Sequence, residues 1–183
     1  LYSPNLPDGI AVDLSVTGSV GNLLSGSLSG NLPSATYRIT GDINLESDDT
    51  LNILPGTEFL FDGTYTFLVE GVLKAQGIES DSIIFDNYGN EKWKGITFDH
   101  IVDTTHLEFV RISGVDRDEG GAIYSSISNL NISHTSISSN NAGNADAGGL
   151  NLIYSNANIS DVIINGNTSG YCAGMSAVYS NLI

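Results

Sequence analysis

The sequence has too few cysteines, basic residues and long apolar runs for several common classes of protein. Its single cysteine, Cys172, cannot form an internal disulfide, so the fold must be stable without one. The apolar segments fall well short of the roughly eighteen residues that a transmembrane helix needs, which predicts no membrane insertion. Six Lys and Arg residues stand against 21 Asp and Glu residues, for a formal net charge of −15. Because phosphate binding needs clustered cations, we expect no nucleic-acid partner.

Helix-forming patterns are also missing. Short runs of Ile, Val, Leu, Phe and Tyr alternate with polar residues, and none extends into an apolar stripe with helical spacing. Gly, Asn, Asp and Ser separate these runs, as they do at turns between strands. Since hydrophobic residues make up 40% of the chain, a disordered chain is excluded. The pattern predicts an all-β protein.

An internal repeat in the last third of the chain indicates the architecture. The pairs Ser128-Asn129, Ser155-Asn156 and Ser180-Asn181 recur after 27 and then 25 residues. A period of this length that contains only short strands is typical of a solenoid in which each turn holds about three strands. Each strand then pairs in parallel with its copy in the next turn, roughly 4.8 Å away. The repeat therefore predicts a parallel β-helix.

Stacked turns place equivalent side chains in columns. Asn129, Asn156 and Asn181 would form one column, in which each amide can hydrogen-bond to the amides above and below. We interpret these residues as a structural ladder and not as catalytic groups. Two apolar columns would face inward, the first of Leu130, Ala157 and Leu182 and the second of Ile132 and Ile159.

We predict two segments along the chain. Residues 1–36 hold three of the four prolines and a strict alternation of apolar residues from Ile10 to Val16, which is typical of an edge strand. We interpret them as an N-terminal cap, because an open solenoid end would expose apolar side chains and unpaired backbone groups. Residues 37–183 would form roughly six turns. Further strand candidates are Tyr37–Thr40, Ile43–Leu45, Leu51–Ile53, Phe59–Phe61, Tyr65–Val69, Ile83–Phe85, Gly95–Phe98 and Leu107–Ile112.

Residues 29–98 carry motifs that resemble a known family. The motifs are Ser29-Gly30, Tyr37–Leu45, Thr50–Thr57, Phe59–Phe61, Val69–Gly77, Ile83–Phe85 and Trp93–Phe98. They are similar to the opening of right-handed parallel β-helix repeat proteins, especially large secreted or surface proteins of the Bacteroidetes type. The resemblance implies that fold and an extracellular or bacterial cell-surface location. It carries over no catalytic residue, because the shared motifs are those of a scaffold.

One acidic segment is a candidate metal site. Asp116, Asp118 and Glu119 place three carboxylates within four residues, in a loop between strands. Ca²⁺ prefers several oxygen ligands, so calcium is the cofactor that this segment could hold. The spacing matches neither an EF-hand nor the nonapeptides of calcium-binding β-rolls. A solvated acidic turn explains the same residues and is the simpler interpretation.

An enzyme is the alternative function. Hydrolases of this fold use carboxylates on an exposed face, which Glu108, Asp116 and Asp118 could supply. Lyases that cleave acidic polysaccharides pair calcium with a basic residue, for which the candidates here are Arg111, Lys92 and Lys94. Nothing in the spacing selects these residues as a set, and His100 and His106 match no zinc signature.

The sequence therefore predicts a non-catalytic structural or adhesive module. Such a module would present its faces and loops to glycans, to an extracellular surface or to copies of itself. An exposed solenoid end would allow copies to stack end to end. We assign no catalytic residue.

Overall fold

The structure is a computed structural model that describes residues 22–118 and 120–183. Within these residues the chain is all-β and forms a parallel β-solenoid of about six turns, which confirms the predicted fold class. It contains no helix there that could cross a membrane. The strands are β1 Asn22–Ser27, β2 Gly30–Leu32, β3 Thr36–Leu45, β4 Thr50–Ile53, β5 Glu58–Phe61, β6 Phe67–Val69, β7 Val72–Gln76, β8 Ile83–Asn87, β9 Ile96–Asp99, β10 Thr104–Glu108, β11 Val110–Ile112, β12 Ile123–Ser126, β13 Asn129–Ser133, β14 Ser136–Ser138, β15 Leu150–Ile153, β16 Asn156–Ser160, β17 Ile163–Asn165, β18 Met175–Val178 and β19 Asn181–Leu182.

The strands form three faces that run along the solenoid. The first face follows the order β3, β5, β8, β11, β14, β17, and the second follows β3, β6, β9, β12, β15, β18. The long strand β3 belongs to both, because Tyr37 pairs with Phe59 and Ile43 pairs with Phe67. The third face follows β2, β4, β7, β10, β13, β16, β19. Each turn therefore contributes one strand to each face, as the repeat predicted.

Single residues in the left-handed conformation make many of the corners. Between the second and third faces these are His100, Ile127, Tyr154 and Tyr179, with φ between 47° and 54°. Between the third and first faces, Phe109 has a φ of 48° and splits the predicted strand Leu107–Ile112 into β10 and β11. Phe is not a turn-forming residue, so the one-residue corner left no signal in the sequence.

The core contains a cluster of aromatic rings. Phe59 stacks on Phe85 with 5.0 Å between ring centroids, and Phe61 stacks on Trp93 at 4.1 Å. Trp93 is fully buried and donates a hydrogen bond from Nε1 to the carbonyl oxygen of Ser113 at 2.7 Å. Trp93 therefore lies inside the solenoid.

Backbone groups at the corners are hydrogen-bonded by a column of serine hydroxyls. Ser128 Oγ accepts from the backbone N–H of Ile101 at 3.1 Å, and Ser155 Oγ accepts from that of Ser128 at 3.2 Å. Ser180 Oγ accepts from the N–H of Ser155 at 3.0 Å. The serine of each repeated Ser-Asn pair thus connects one turn to the next, which satisfies backbone donors that are buried.

The first strands belong to the same ladders as the later ones. Asn22 in β1 pairs in parallel with Tyr37, and Gly30 in β2 pairs with Leu51. The proposed cap, residues 1–36, therefore includes strands that add to the solenoid. Residues 1–21, with the predicted edge strand from Ile10 to Val16, lie outside the described residues.

The last described turn is more open than those before it. Leu182 is 45% exposed, whereas its counterpart one turn earlier, Ala157, is buried. The inward columns of Leu130, Ala157 and Leu182 and of Ile132 and Ile159 have the predicted register.

Candidate functional site

The outward surface of the third face is lined by polar side chains in register. Inward residues such as Leu130 and Ala157 are buried, so their neighbours along each strand point away from the core. One outward column runs through six successive strands and consists of Asn31, Asn52, Lys74, His106, Asn131 and Asn158. The third face therefore presents an outward polar group at each of these six strands.

A second outward column on this face is the predicted asparagine ladder. Asn181 Nδ2 donates to Asn156 Oδ1 at 2.7 Å, and Asn156 Nδ2 donates to Asn129 Oδ1 at 2.9 Å. Asn129 Nδ2 in turn donates to the carbonyl oxygen of Val102 at 2.6 Å. These bonds confirm the ladder and hold the amides in fixed orientations.

A shallow depression of about 270 Å³ lies where the two columns run side by side. Its lining includes Asn129, Asn131, Asn156 and Asn158, together with Thr104 and Ile183, and contains no charged side chain. Asn158 is exposed and its amide makes no hydrogen bond within the described chain. Asn131 Nδ2 is 3.5 Å from His106 Nδ1, at the outer limit of a hydrogen bond. The depression therefore combines the two fixed amides of Asn129 and Asn156 with the free amide of Asn158 and with Asn131, whose one contact is long.

A pair of exposed tyrosines forms the corner before this face. The rings of Tyr154 and Tyr179 stack with 5.0 Å between centroids and an interplanar angle of 8°. Tyr154 is 59% exposed and Tyr179 is 78% exposed. Each precedes its ladder asparagine, Asn156 or Asn181, by two residues. Both tyrosines are left-handed corner residues, so the backbone itself directs them outward.

The predicted calcium residues lie in the loop between β11 and β12. Asp116 Oδ1 accepts a hydrogen bond from Asn141 Nδ2 at 3.2 Å, and Asn141 Oδ1 accepts one from Thr168 Oγ1 at 2.9 Å. Asp116 is thus part of a polar column that joins three turns. Asp118 lies in the same loop, and Glu119 lies outside the described residues. No group of three or more His, Cys, Asp or Glu side chains suited to a metal occurs in the described part of the chain. Calcium at this loop stays a prediction.

The residues considered for catalysis are distributed over different parts of the solenoid. Glu108 ends β10 on the third face, where it accepts a hydrogen bond from Gln76 at 3.2 Å. Asp116 and Asp118 lie in the loop between the first and second faces. Arg111 is exposed on β11, and Lys94 Nζ donates to the Asp116 carbonyl oxygen at 2.8 Å.

The three histidines lie at separate positions. His100 Nδ1 is 2.7 Å from Asp99 Oδ1 at one corner, and His106 lies on the third face. His134 forms the opposite corner, where its ring stacks on Phe109 with 4.5 Å between centroids.

Sequence reasoning missed the surface that the structure presents. Asn131 and Asn158 lie 27 residues apart, and so do Ile127 and Tyr154, so the repeat held the signal. The predicted inward columns also imply that Asn131 and Asn158 point outward. The repeat did not show that Tyr154 forms the corner beside them, because its side chain is not that of a typical turn residue.

Comparisons with known proteins give one limited match. No family model matches the chain, and no solved structure matches it. The chain is 33% identical over 66 residues to Protein bark beetle of Drosophila melanogaster, a stretch that covers 35% of this chain and 2% of that protein. The match thus spans only a small part of a much longer relative.

Proposed function

We propose that this chain is a non-catalytic extracellular module that binds glycans through the third face of its solenoid. The observation that carries the proposal is the amide-lined depression, flanked along the chain by the exposed Tyr154–Tyr179 pair. Amide side chains can both donate and accept hydrogen bonds, as sugar hydroxyls do. Exposed tyrosine rings offer a flat apolar surface with a polar edge, which suits the face of a sugar ring.

The scaffold supports this function. The amides of the ladder are held by one another, so little side-chain freedom is lost when a ligand binds. The acidic composition is consistent with a soluble protein exposed to extracellular salt. The resemblance to secreted and surface β-helix proteins of the Bacteroidetes type supports export, and an adhesive role would follow from display at a bacterial surface.

The experiment that tests the proposal is a binding screen of the purified chain against immobilised polysaccharides. We expect retention on at least one glycan, and we expect Tyr154→Ala combined with Tyr179→Ala to weaken it. An exposed tyrosine elsewhere provides the control, because Tyr171 is 83% exposed and Tyr171→Ala should bind like the original chain. Retention on none of the glycans would overturn the proposal.

The same screen separates binding from catalysis. Samples of each bound polysaccharide are incubated with the chain and assayed for new reducing ends and for the absorbance of unsaturated sugars. We expect neither. Turnover by the original chain that is lost in Glu108→Gln or Asp116→Asn would contradict the non-catalytic module and support the enzyme alternative.

A further inference from the structure

We propose that the ligand of the third face is an uncharged glycan chain that lies parallel to the solenoid axis, across the depression at Asn129, Asn131, Asn156 and Asn158. This inference rests on the proposed function and specifies its ligand class, its position and its direction.

The spacing of the four amides is the first argument. Residues two apart on a strand lie roughly 6.6 Å apart, and neighbouring strands are separated by about 4.8 Å. Asn129 and Asn131 therefore form one edge of a rectangle of amides, and Asn156 and Asn158 form the opposite edge. A rectangle of this size can contact the hydroxyl groups on both sides of one sugar ring.

The free hydrogen-bonding groups are the second argument. In the ladder column Asn156 donates one N–H to Asn129 and accepts from Asn181 at its oxygen, which leaves its second N–H available. In the other column Asn158 uses none of its donors or acceptors on the protein. The depression therefore presents fixed donors along one side and adaptable amides along the other.

Charge defines the class of sugar. The lining of the depression is uncharged, and the chain as a whole carries a formal charge of −15. A uronate or sulfated glycan would meet no cation in the depression and would be repelled by the rest of the molecule. A neutral glycan needs no cation in the depression and is not repelled by the negative charge of the chain.

The direction follows from the repeat of the columns. Thr104, Asn129 and Asn156 present polar groups at three successive strands of the third face. A polymer that runs along the axis meets a polar group at each of these strands, and it passes beside the Tyr154 and Tyr179 rings, which stack from one turn to the next. Affinity should therefore rise with oligosaccharide length up to about three sugar rings, the number of strands that the depression spans.

The test compares binding of neutral and acidic oligosaccharides by titration calorimetry. The neutral probes are cello-, xylo- and manno-oligosaccharides of one to six units, and the acidic probes are oligogalacturonates. The variant is Asn131→Ala with Asn158→Ala, which removes amides that contribute little to the fold. The matched control is Asn165→Ala, an exposed asparagine of β17 on the first face.

We expect a neutral series to bind with affinity that increases to about the trisaccharide, and the double variant to lose affinity by about tenfold to thirtyfold, as expected for two lost hydrogen bonds. Asn165→Ala should bind as the original chain does. If a glycan binds and the double variant binds it equally well, the position is wrong while the proposed function stands. Selective binding of oligogalacturonate would overturn the assignment to neutral glycans, and binding of no probe would contradict the proposed function itself.

Discussion

Asn140 and Asn167 form a buried amide pair that connects three turns of the solenoid. Asn140 donates from both its backbone N–H and its Nδ2 to Asn167 Oδ1, each at 3.0 Å. Asn140 Oδ1 accepts from the backbone N–H of Val115 at 3.1 Å, and Asn167 Nδ2 donates to the carbonyl oxygen of Ile137 at 2.9 Å. Asn140 is 2% exposed and Asn167 is 7% exposed. The pair therefore satisfies backbone groups that water cannot reach.

Replacement of Asn140 by Ala is expected to lower the free energy of unfolding by about 2–4 kcal/mol, because it leaves buried partners unsatisfied and opens a small cavity. Urea titration followed by far-UV circular dichroism measures the loss. The exposed Asn158→Ala serves as the control and should change stability by less than about 0.5 kcal/mol. Equal effects of the two substitutions would contradict the role of the buried pair.

Ile127 is a corner residue whose side chain does not suit its backbone. Its φ of 47° lies in the left-handed region, where a β-branched residue is strained by about 1–2 kcal/mol. Because the side chain is 49% exposed, little apolar contact holds it there. We expect Ile127→Asn to raise the melting temperature, by relief of about 1 kcal/mol of strain. Asp161, a corner residue with a φ of 53°, already tolerates this conformation, so Asp161→Asn should have little effect. A lower melting temperature for Ile127→Asn would show that Ile contacts outweigh strain.

Trp93 is the one tryptophan of the chain, and it packs face to face on Phe61 in the core. Trp93→Ala is expected to cost about 3–5 kcal/mol of stability through the cavity that it creates. Trp93→Phe retains most of the ring contact but removes the donor to the Ser113 carbonyl oxygen, so its cost should be smaller, about 1–3 kcal/mol. Chemical denaturation of the two variants gives both values. A loss of stability in Trp93→Phe as large as that in Trp93→Ala would contradict the packing described for this ring.

Burial raises the pKa of Tyr37 above its ordinary value of 10.0. The unfolded chain therefore loses this proton at lower pH than the folded chain does. The contribution to stability is complete below pH 10.0 and is lost as the pH rises through the higher folded pKa. Tyr37→Phe should be less stable at neutral pH, because the Tyr37 hydroxyl donates to the Pro33 carbonyl oxygen at 3.0 Å, but its stability should decline less at alkaline pH. Thermal melts between neutral and alkaline pH check this, with the exposed Tyr171→Phe expected to keep the original decline.

The calcium hypothesis for Asp116, Asp118 and Glu119 predicts that millimolar Ca²⁺ raises the melting temperature and that a chelator lowers it. Asp118→Asn should remove the difference, whereas Asp146→Asn, in the corresponding loop one turn later, should retain it. Identical melting curves in calcium and in chelator would contradict the calcium hypothesis. The carboxylates would then be a solvated surface, with Asp116 hydrogen-bonded to Asn141.

The period, the parallel pairing and the asparagine ladder could all be predicted, because in-register stacking makes equivalent residues recur at fixed spacing. The serine of each Ser-Asn pair was visible as part of the repeat, but its hydroxyl bond to the preceding turn depends on the corner geometry. The corners themselves were hidden, since residues such as Phe109 and Ile127 are poor turn formers that neighbouring turns hold in place. The depression on the third face was hidden for a related reason. Asn131 and Asn158 become a surface only when strands from different turns lie side by side.

The register of the ladders has a consequence for how such a molecule changes in size. Asn129 and Asn156 are 27 residues apart and occupy equivalent positions in consecutive turns. Deletion of residues 129–155 would join Ser128 directly to Asn156. Each strand that lost its neighbour would then pair with the next strand of the same face. The rod would become shorter by about 4.8 Å, the distance between adjacent strands. Gene duplication or deletion of one repeat can thus change the reach of the molecule in discrete steps, without the invention of a new interface.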